Sequence, residues 1–480
     1  MFNERTQGVI PMAKTHEIDT TRGPLLKTII VFALPIIGVN ILQILFTTAD
    51  VTVLGIFTTD YAVAAVGTTT PIVNLLIGFF VGLSVGTNVL IARCKGAQDQ
   101  NRARRIVGTA VLMSLVIGVL VAVVGFFMAE TMLVWASCAP TVLPYATTYL
   151  RIYFLGMPVI MLYNFAASIL RAVGDTLRPL IFLIIGGVLN IVLNIFFIVV
   201  VGWDVEGVAI ATVASQAVSA ISSLVLLIKN DGYAKLEKQH LKFYKSELKD
   251  VVIIGLPIGV SKCLFSVANV MVQSSINALG DMVMTAHSIT KEFDGFILET
   301  MHGFGLACVA IVSQNYGAKK YDRIKKTVLY SLLLVAIVGG LLGVILLLFG
   351  RTLCGIMTDT GEVLDYCMVR ILSVSMFYFL LGFLNVIQET IRGMGKSFTA
   401  LLINILANIV LRLIYLYGFY PWLSSGGDTA NKLSLLYILY PISWGIAIVV
   451  GCIVLVSMFK KARRQNALNK EESEQEKPAA

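Results

Sequence analysis

The chain has 480 residues, of which 57% are hydrophobic and only 14% charged, where a soluble chain of this length carries roughly 25% charged residues. Apolar stretches long enough to cross ~30 Å of hydrocarbon recur from Ile29 to Met458, which excludes a soluble enzyme or binding module with a small anchor. The net charge of +9 would suit nucleic acid, but its placement beside the apolar runs reports topology, and no nucleic-acid partner is expected.

Residues 1–24 are polar, lack the apolar core of a signal peptide and read as a disordered cytoplasmic tail. Hydropathy then predicts spans near 28–52, 62–91, 106–128, 146–168, 179–201, 206–228, 251–276, 285–312, 327–349, 365–387, 398–419 and 434–458. The loop after the second span holds Arg93, Lys95, Arg102, Arg104 and Arg105, and the loop after the eighth holds Lys319, Lys320, Arg323, Lys325 and Lys326. The odd-numbered loops hold only Arg351 and Lys432. Basic residues near helix ends stay on the cytoplasmic side, so both termini are expected in the cytoplasm; the expected location is a bacterial cell (inner) membrane, crossed many times. The charged segment 229–250 reads as a cytoplasmic linker between an N-lobe, 25–228, and a C-lobe, 251–459, with a cytoplasmic tail at 460–480.

Span one contains Asp50, about 22 residues from its cytoplasmic end and therefore in the outer half of the bilayer. A carboxylate at such depth costs about 2.5–3.5 kcal/mol on insertion scales, which makes function the default reading. Burial favours the neutral acid and a bound cation favours the carboxylate, so such a group can exchange a proton or Na⁺ for an organic cation. The plainer reading is a solvated carboxylate at the interface. Gln43, two helical turns earlier, is a further polar candidate. In span two, Gly78, Gly82 and Gly86 form consecutive GxxxG patterns, expected to bring helices together inside the first lobe. Gly82-Leu-Ser84-Val-Gly86 also fits a nucleophile-elbow pattern, but that motif needs a preceding strand and here lies in an apolar helix. Asn190 and Asn194, at i and i+4 in span five, share a helix face, and Thr212 follows in span six. They read either as a polar wall beside Asp50 or as glue between helices.

In the second half, span eight carries Lys291, Glu292, Asp294, Glu299 and His302. Lys291 with Asp294, and Glu299 with His302, stand at i,i+3 and could neutralise one another. The sharper reading makes Asp294 and Glu299 part of a second cavity site. Lys262 and Arg412 also fall inside spans and would suit an anionic substrate. Seven cysteines are scattered without metal-ligand spacing; Cys138 and Cys354 both map to the outer side, where a bridge is conceivable.

The halves repeat at an offset of about 220 residues. Ala33-Leu-Pro-Ile returns as Gly255-Leu-Pro-Ile, Gly96-Ala as Gly317-Ala, Leu170-Arg-Ala-Val-Gly174 as Ile391-Arg-Gly-Met-Gly395, and Asn190-Ile-Val-Leu-Asn194 as Asn408-Ile-Val-Leu-Arg412. Asn269 stands where the repeat places the counterpart of Asp50. An offset of six helices gives a parallel repeat. The expected fold is therefore an all-α membrane protein, twelve transmembrane helices in two pseudo-symmetric six-helix bundles around a central cavity.

Leu34-Pro35, Ala49-Asp50 and Gly55 in span one, Gly96-Ala97 after span two, Leu170-Arg171-Ala-Val-Gly174-Asp175-Thr176 after span four, Asn190 with Asn194, and Gly207-Val-Ala-Ile-Ala-Thr212 together resemble the multidrug and toxic compound extrusion (MATE) transporters. The resemblance covers about residues 25–458. It implies export of lipophilic organic cations by H⁺ or Na⁺ antiport, with no other cofactor. It also implies that Asp50 couples to the cation, that Asn190 and Thr212 line the N-lobe cavity, and that Tyr149, or alternatively Tyr153, contributes from span four. Many members carry Asp at the position of Asn194, so Asp50 is left as the one deep carboxylate of this lobe. If Na⁺ is the coupling ion, Asp50, Asn190, Asn194 and Thr212 are its expected ligands. A monomer is expected. The alternative is a flippase for a lipid-linked saccharide or other anionic amphiphile, kept open by Lys262, Lys291 and Arg412. An enzyme is not expected, because no phosphate loop or HExxH motif occurs.

Overall fold

The computed structural model describes residues 17–475, and these are helical almost throughout. Lipid offers nothing to an unpaired backbone N–H or C=O, so each apolar run satisfies its own groups as a helix. The first half contains α1 (Leu25–Phe57), α2 (Asp60–Ala97), α3 (Gln100–Trp135), α4, α5 (Leu177–Val200) and α6 (Val205–Lys229). The second contains α7 (Lys245–Asn277), α8 (Asp281–Gly317), α9 (Tyr321–Cys354), α10 (Gly361–Gly393), α11 (Ser397–Leu423) and α12 (Thr429–Ala462). Helix α4 is made of Leu143–Leu155 and Met157–Ala172, bent by 50°. Pro158 sits in the first turn of its second part, where the missing N–H is tolerated, and Gly156 leaves room for Val213 of α6 at the bend. Counted as one span, α4 completes the twelve.

The repeat is visible in the backbone. Gln98 (φ 60°) and Lys319 (φ 57°) end α2 and α8 in the left-handed conformation, and Gly174 (φ 91°) and Gly395 (φ 82°) turn the chain after α4 and α10. Both α5 and α11 pass from α-helix into π-helix, at Phe196–Val200 and Leu406–Val410.

Two observations revise the sequence expectations. Gly82 and Gly86 do not serve packing inside the first bundle. They face Gly259 and Gly255 of α7, across the junction between bundles, where a Cβ on Gly82 would lie 2.5 Å from the Gly259 nitrogen and one on Gly86 2.7 Å from that of Gly255. A GxxxG pattern marks a close backbone approach without naming the partner. Ser84, between them, bonds Ser168 at 2.9 Å and is structural.

The second revision concerns the ends of the chain. Residues 1–16 lie outside the described residues, but 17–24 are not a free tail. Thr20 is fully buried and its hydroxyl donates to Gln314 Oε1 at 2.6 Å; its carbonyl accepts from Asn315 Nδ2 at 3.2 Å and from Arg323 Nε at 2.9 Å. Ile18 N donates to Gly174 O at 3.3 Å, and Glu17 pairs with Lys95 at 3.1 Å. The segment therefore ties the first bundle to α8 and α9. On the same face Gly96 abuts the Gln314 carbonyl, Gly317 abuts that of Arg93, and Arg93 Nη2 donates to Gly393 O at 2.8 Å. The bundles are shut together at this N-terminal face. At the other end, the helix of α12 continues to Gln475, past the start of the expected tail at 460. All seven cysteines are free, and Cys354 has Cys367 beside it rather than Cys138.

Candidate transport site

Helices α1, α5 and α6 meet in the half of the first bundle farther from the N-terminal face. Gly187 of α5 makes this possible, because the ring of Phe46 lies where its Cβ would stand. Asp50 is 8% exposed. Asn194 Nδ2 donates to its Oδ1 at 2.5 Å, and Thr212 Oγ1 donates to its Oδ2 at 3.4 Å. Asn190 Nδ2 donates to Thr212 Oγ1 at 3.3 Å, and Asn194 Nδ2 reaches Asn190 Oδ1 at 3.4 Å. The i,i+4 spacing of the two asparagines is what presents both amides to one carboxylate.

These groups border a cavity of ≈ 210 Å³. Gln43, Asp50, Tyr149, Asn190 and Thr212 line it directly, while Asn194 stands just behind, fully buried. Tyr149 and Tyr153 both line it and stack on each other with ring centroids 6.0 Å apart. The sequence reading missed Asn74, Asn164 and Gln216 in the wall. Gln216 follows Thr212 by one helical turn, so its placement on the same face was available from periodicity. Asn74 and Asn164 carried no such signal.

Asp294 and Glu299 lie elsewhere, in α8. Asp294 is fully buried and neutralised by Arg370 of α10, whose Nη2 lies 2.8 Å from Oδ2; Ser375 Oγ donates to Oδ1 at 2.7 Å. Arg370 Nη1 also stands 2.6 Å from His287 Nδ1, which is 2.9 Å from the Tyr437 hydroxyl. The pairing of Asp294 with Lys291 anticipated from i,i+3 spacing is replaced by this longer-range one. Glu299 does approach His302, at 3.5 Å, and its backbone carbonyl accepts from Asn40 of α1 at 3.1 Å.

The two deep carboxylates thus differ. Asp294 has a resident guanidinium. Asp50 has only neutral amide and hydroxyl donors, and no basic side chain among the described residues pairs with it. A carboxylate shielded from water and left without a fixed counter-ion can bind a mobile cation.

The chain is similar to proteins of one family along most of its length. The MatE family model matches residues 35–196 and again 257–417, one match in each half. The Bacillus subtilis protein named "Probable multidrug resistance protein YoeA" is 26% identical over 435 residues, covering 87% of this chain and 94% of its own length. "Multidrug export protein MepA" of Staphylococcus haemolyticus is 22% identical over 380 residues, 78% of this chain and 84% of its own. A solved outward-facing multidrug resistance MATE transporter of the MOP superfamily has the same fold, with a TM-score of 0.86 over 94% of this chain and 100% of its own at 22% identity. Because the family match spans most of both halves, this chain belongs to the MatE family of multidrug and toxic compound extrusion proteins, and is a multi-span membrane transporter rather than an enzyme.

Proposed function

We propose that the chain exports lipophilic organic cations from the cytoplasm by antiport with H⁺ or Na⁺, the two lobes, 25–228 and 251–459, rocking to expose Asp50 to each side in turn. The observation that carries this reading is the contrast between Asp50, which has no fixed counter-ion, and Asp294, which has one. An organic cation held by the Asp50 carboxylate would rest against the stacked Tyr149 and Tyr153, whose ring faces favour positive charge. Arrival of a proton or Na⁺ at Asp50 cancels that attraction, so one negative site serves either passenger and links the two flows. For Na⁺, the carbonyl oxygen of Asn194, buried and without a donor, adds a neutral ligand beside the carboxylate. The basic loops support a cytoplasmic N-terminal face, and the protein is proposed to work as a monomer.

The test uses inverted membrane vesicles loaded by ethidium uptake, with H⁺ and Na⁺ gradients imposed separately. The wild-type chain moves ethidium under one of the two, and Asp50→Asn inserts normally but loses gradient-driven movement. Undiminished transport by Asp50→Asn removes this residue from the mechanism. A flippase for anionic amphiphiles would move no ethidium under either gradient.

A further inference from the structure

The repeat that relates the two bundles places Asn269 opposite Asp50 and Arg412 opposite Asn194. The contact between them is kept and its charge is inverted. In the first bundle the Asn194 amide donates to a carboxylate; in the second, Arg412 Nη1 donates to the amide oxygen of Asn269 at 3.3 Å. One lobe therefore holds a buried anion with neutral donors, and the other a buried cation with a neutral acceptor.

Arg412 is 1% exposed. Its guanidinium lies 4.6 Å from the ring centre of Tyr440, which sits 5.8 Å from that of Trp444. Arg412 Nε and Nη2 have no hydrogen-bond partner among the described residues, and neither has the indole nitrogen of Trp444. No carboxylate answers the charge, since Asp294 is held by Arg370 and Ser375. Even the Asn408 carbonyl oxygen, one turn back on α11, is left unused. An ionised group removed from water is destabilising unless paired, and buried donors are expected to find acceptors. The helix is also wound as π-helix on both sides of Arg412, at Leu406–Val410 and Ile414–Phe419, a distortion that is frequent at functional sites.

We propose that Arg412 and Trp444 form an anion site in the second bundle, with Asn269 orienting the guanidinium and Tyr440 covering its face. The groups of Arg412 and Trp444 left without partners are all N–H donors, so the ligand is an acceptor. The single uncompensated positive charge selects a monovalent one, a halide or a carboxylate group, over a phosphate dianion. The site is independent of the exchange proposed at Asp50.

Thermal unfolding of the purified full-length chain in detergent tests it, at constant ionic strength, with bulky isethionate replaced by chloride in one arm and by acetate in the other. The unfolding temperature should rise saturably, by about 2–4 °C, in at least one arm. A rise with chloride alone assigns the site to a halide, and a rise with acetate assigns it to a carboxylate group. In Asn269→Asp the chain supplies its own counter-ion at the position of Asp50, and the rise should vanish while the variant stays folded in isethionate. In Trp444→Phe, which keeps the ring and loses the donor, the half-saturating concentration should increase about tenfold. A flat wild-type response in both arms, a rise retained in full by Asn269→Asp, or an unchanged half-saturation in Trp444→Phe overturns the assignment.

Discussion

Asn194 governs how Asp50 is presented, and the two donors to that carboxylate differ enough in length to be ranked. The bond from Asn194 is 2.5 Å and that from Thr212 is 3.4 Å, near the limit of a hydrogen bond. A bond to a charged group contributes about 1.5–3 kcal/mol, so Asn194→Leu should slow ethidium efflux by about tenfold or more. Thr212→Val, which keeps the shape and removes only the longer bond, should slow it by less than about threefold. Equal losses in efflux assays on matched amounts of protein would show that the ranking by distance is wrong. Asp50, Asn190, Asn194 and Thr212 could be read from sequence because each interrupts an otherwise apolar helix, where an unpaired polar group is costly. The neighbours of Asp294 could not. Arg370 lies on another helix, 76 positions away, and nothing in the local spacing distinguishes it from Lys291 as a partner.

Among elements, the crossing of α2 and α7 brings the backbones of the two bundles together, with Gly82 and Gly86 set against Gly259 and Gly255. Leucine at Gly82 would drive its Cβ into the backbone of Ile258 and Gly259, and backbone cannot step aside as a side chain can. Overpacking of this kind typically costs 1–3 kcal/mol. Gly82→Leu and Gly259→Leu should therefore each lower the unfolding temperature and abolish efflux, whereas Gly67→Leu, with nothing within 4 Å of its Cβ, should do neither. A Gly82→Leu chain with normal efflux would mean that this crossing opens freely. The number and order of helices follow from hydropathy alone, since only a helix satisfies its backbone in lipid. The partner of each glycine surface does not. Nor does the 50° bend in α4, which depends on the close approach of Val213 from a different helix. Residues 17–24 depart from expectation for a related reason: their polar composition suits a solvated tail, and their order comes from contacts such as that of Thr20 with a residue 294 positions away.

At the scale of the whole molecule, the closed N-terminal face and the cavity at Asp50 lie toward opposite ends of the helices. The proposed rocking exchange then requires the N-terminal face to part, and with it the contacts of Thr20 with Gln314 and Arg323 and of Arg93 with Gly393. These bonds are numerous and individually weak, which suits a closure that must reverse in every cycle. Preventing the parting should stop transport without touching Asp50. In a chain freed of its seven native cysteines, Thr20→Cys and Gln314→Cys would sit on side chains now 2.6 Å apart at their bonded atoms, within reach of a short bifunctional thiol reagent. Bridging them should abolish ethidium efflux, and a cleavable reagent should return it on reduction. A cysteine introduced at Gln43 in the bridged chain should still react with a reagent applied from outside the cell, because only the N-terminal face has been locked. Efflux that continues in the fully bridged chain would mean that this face need not open, and the rocking of one bundle against the other would have to be abandoned.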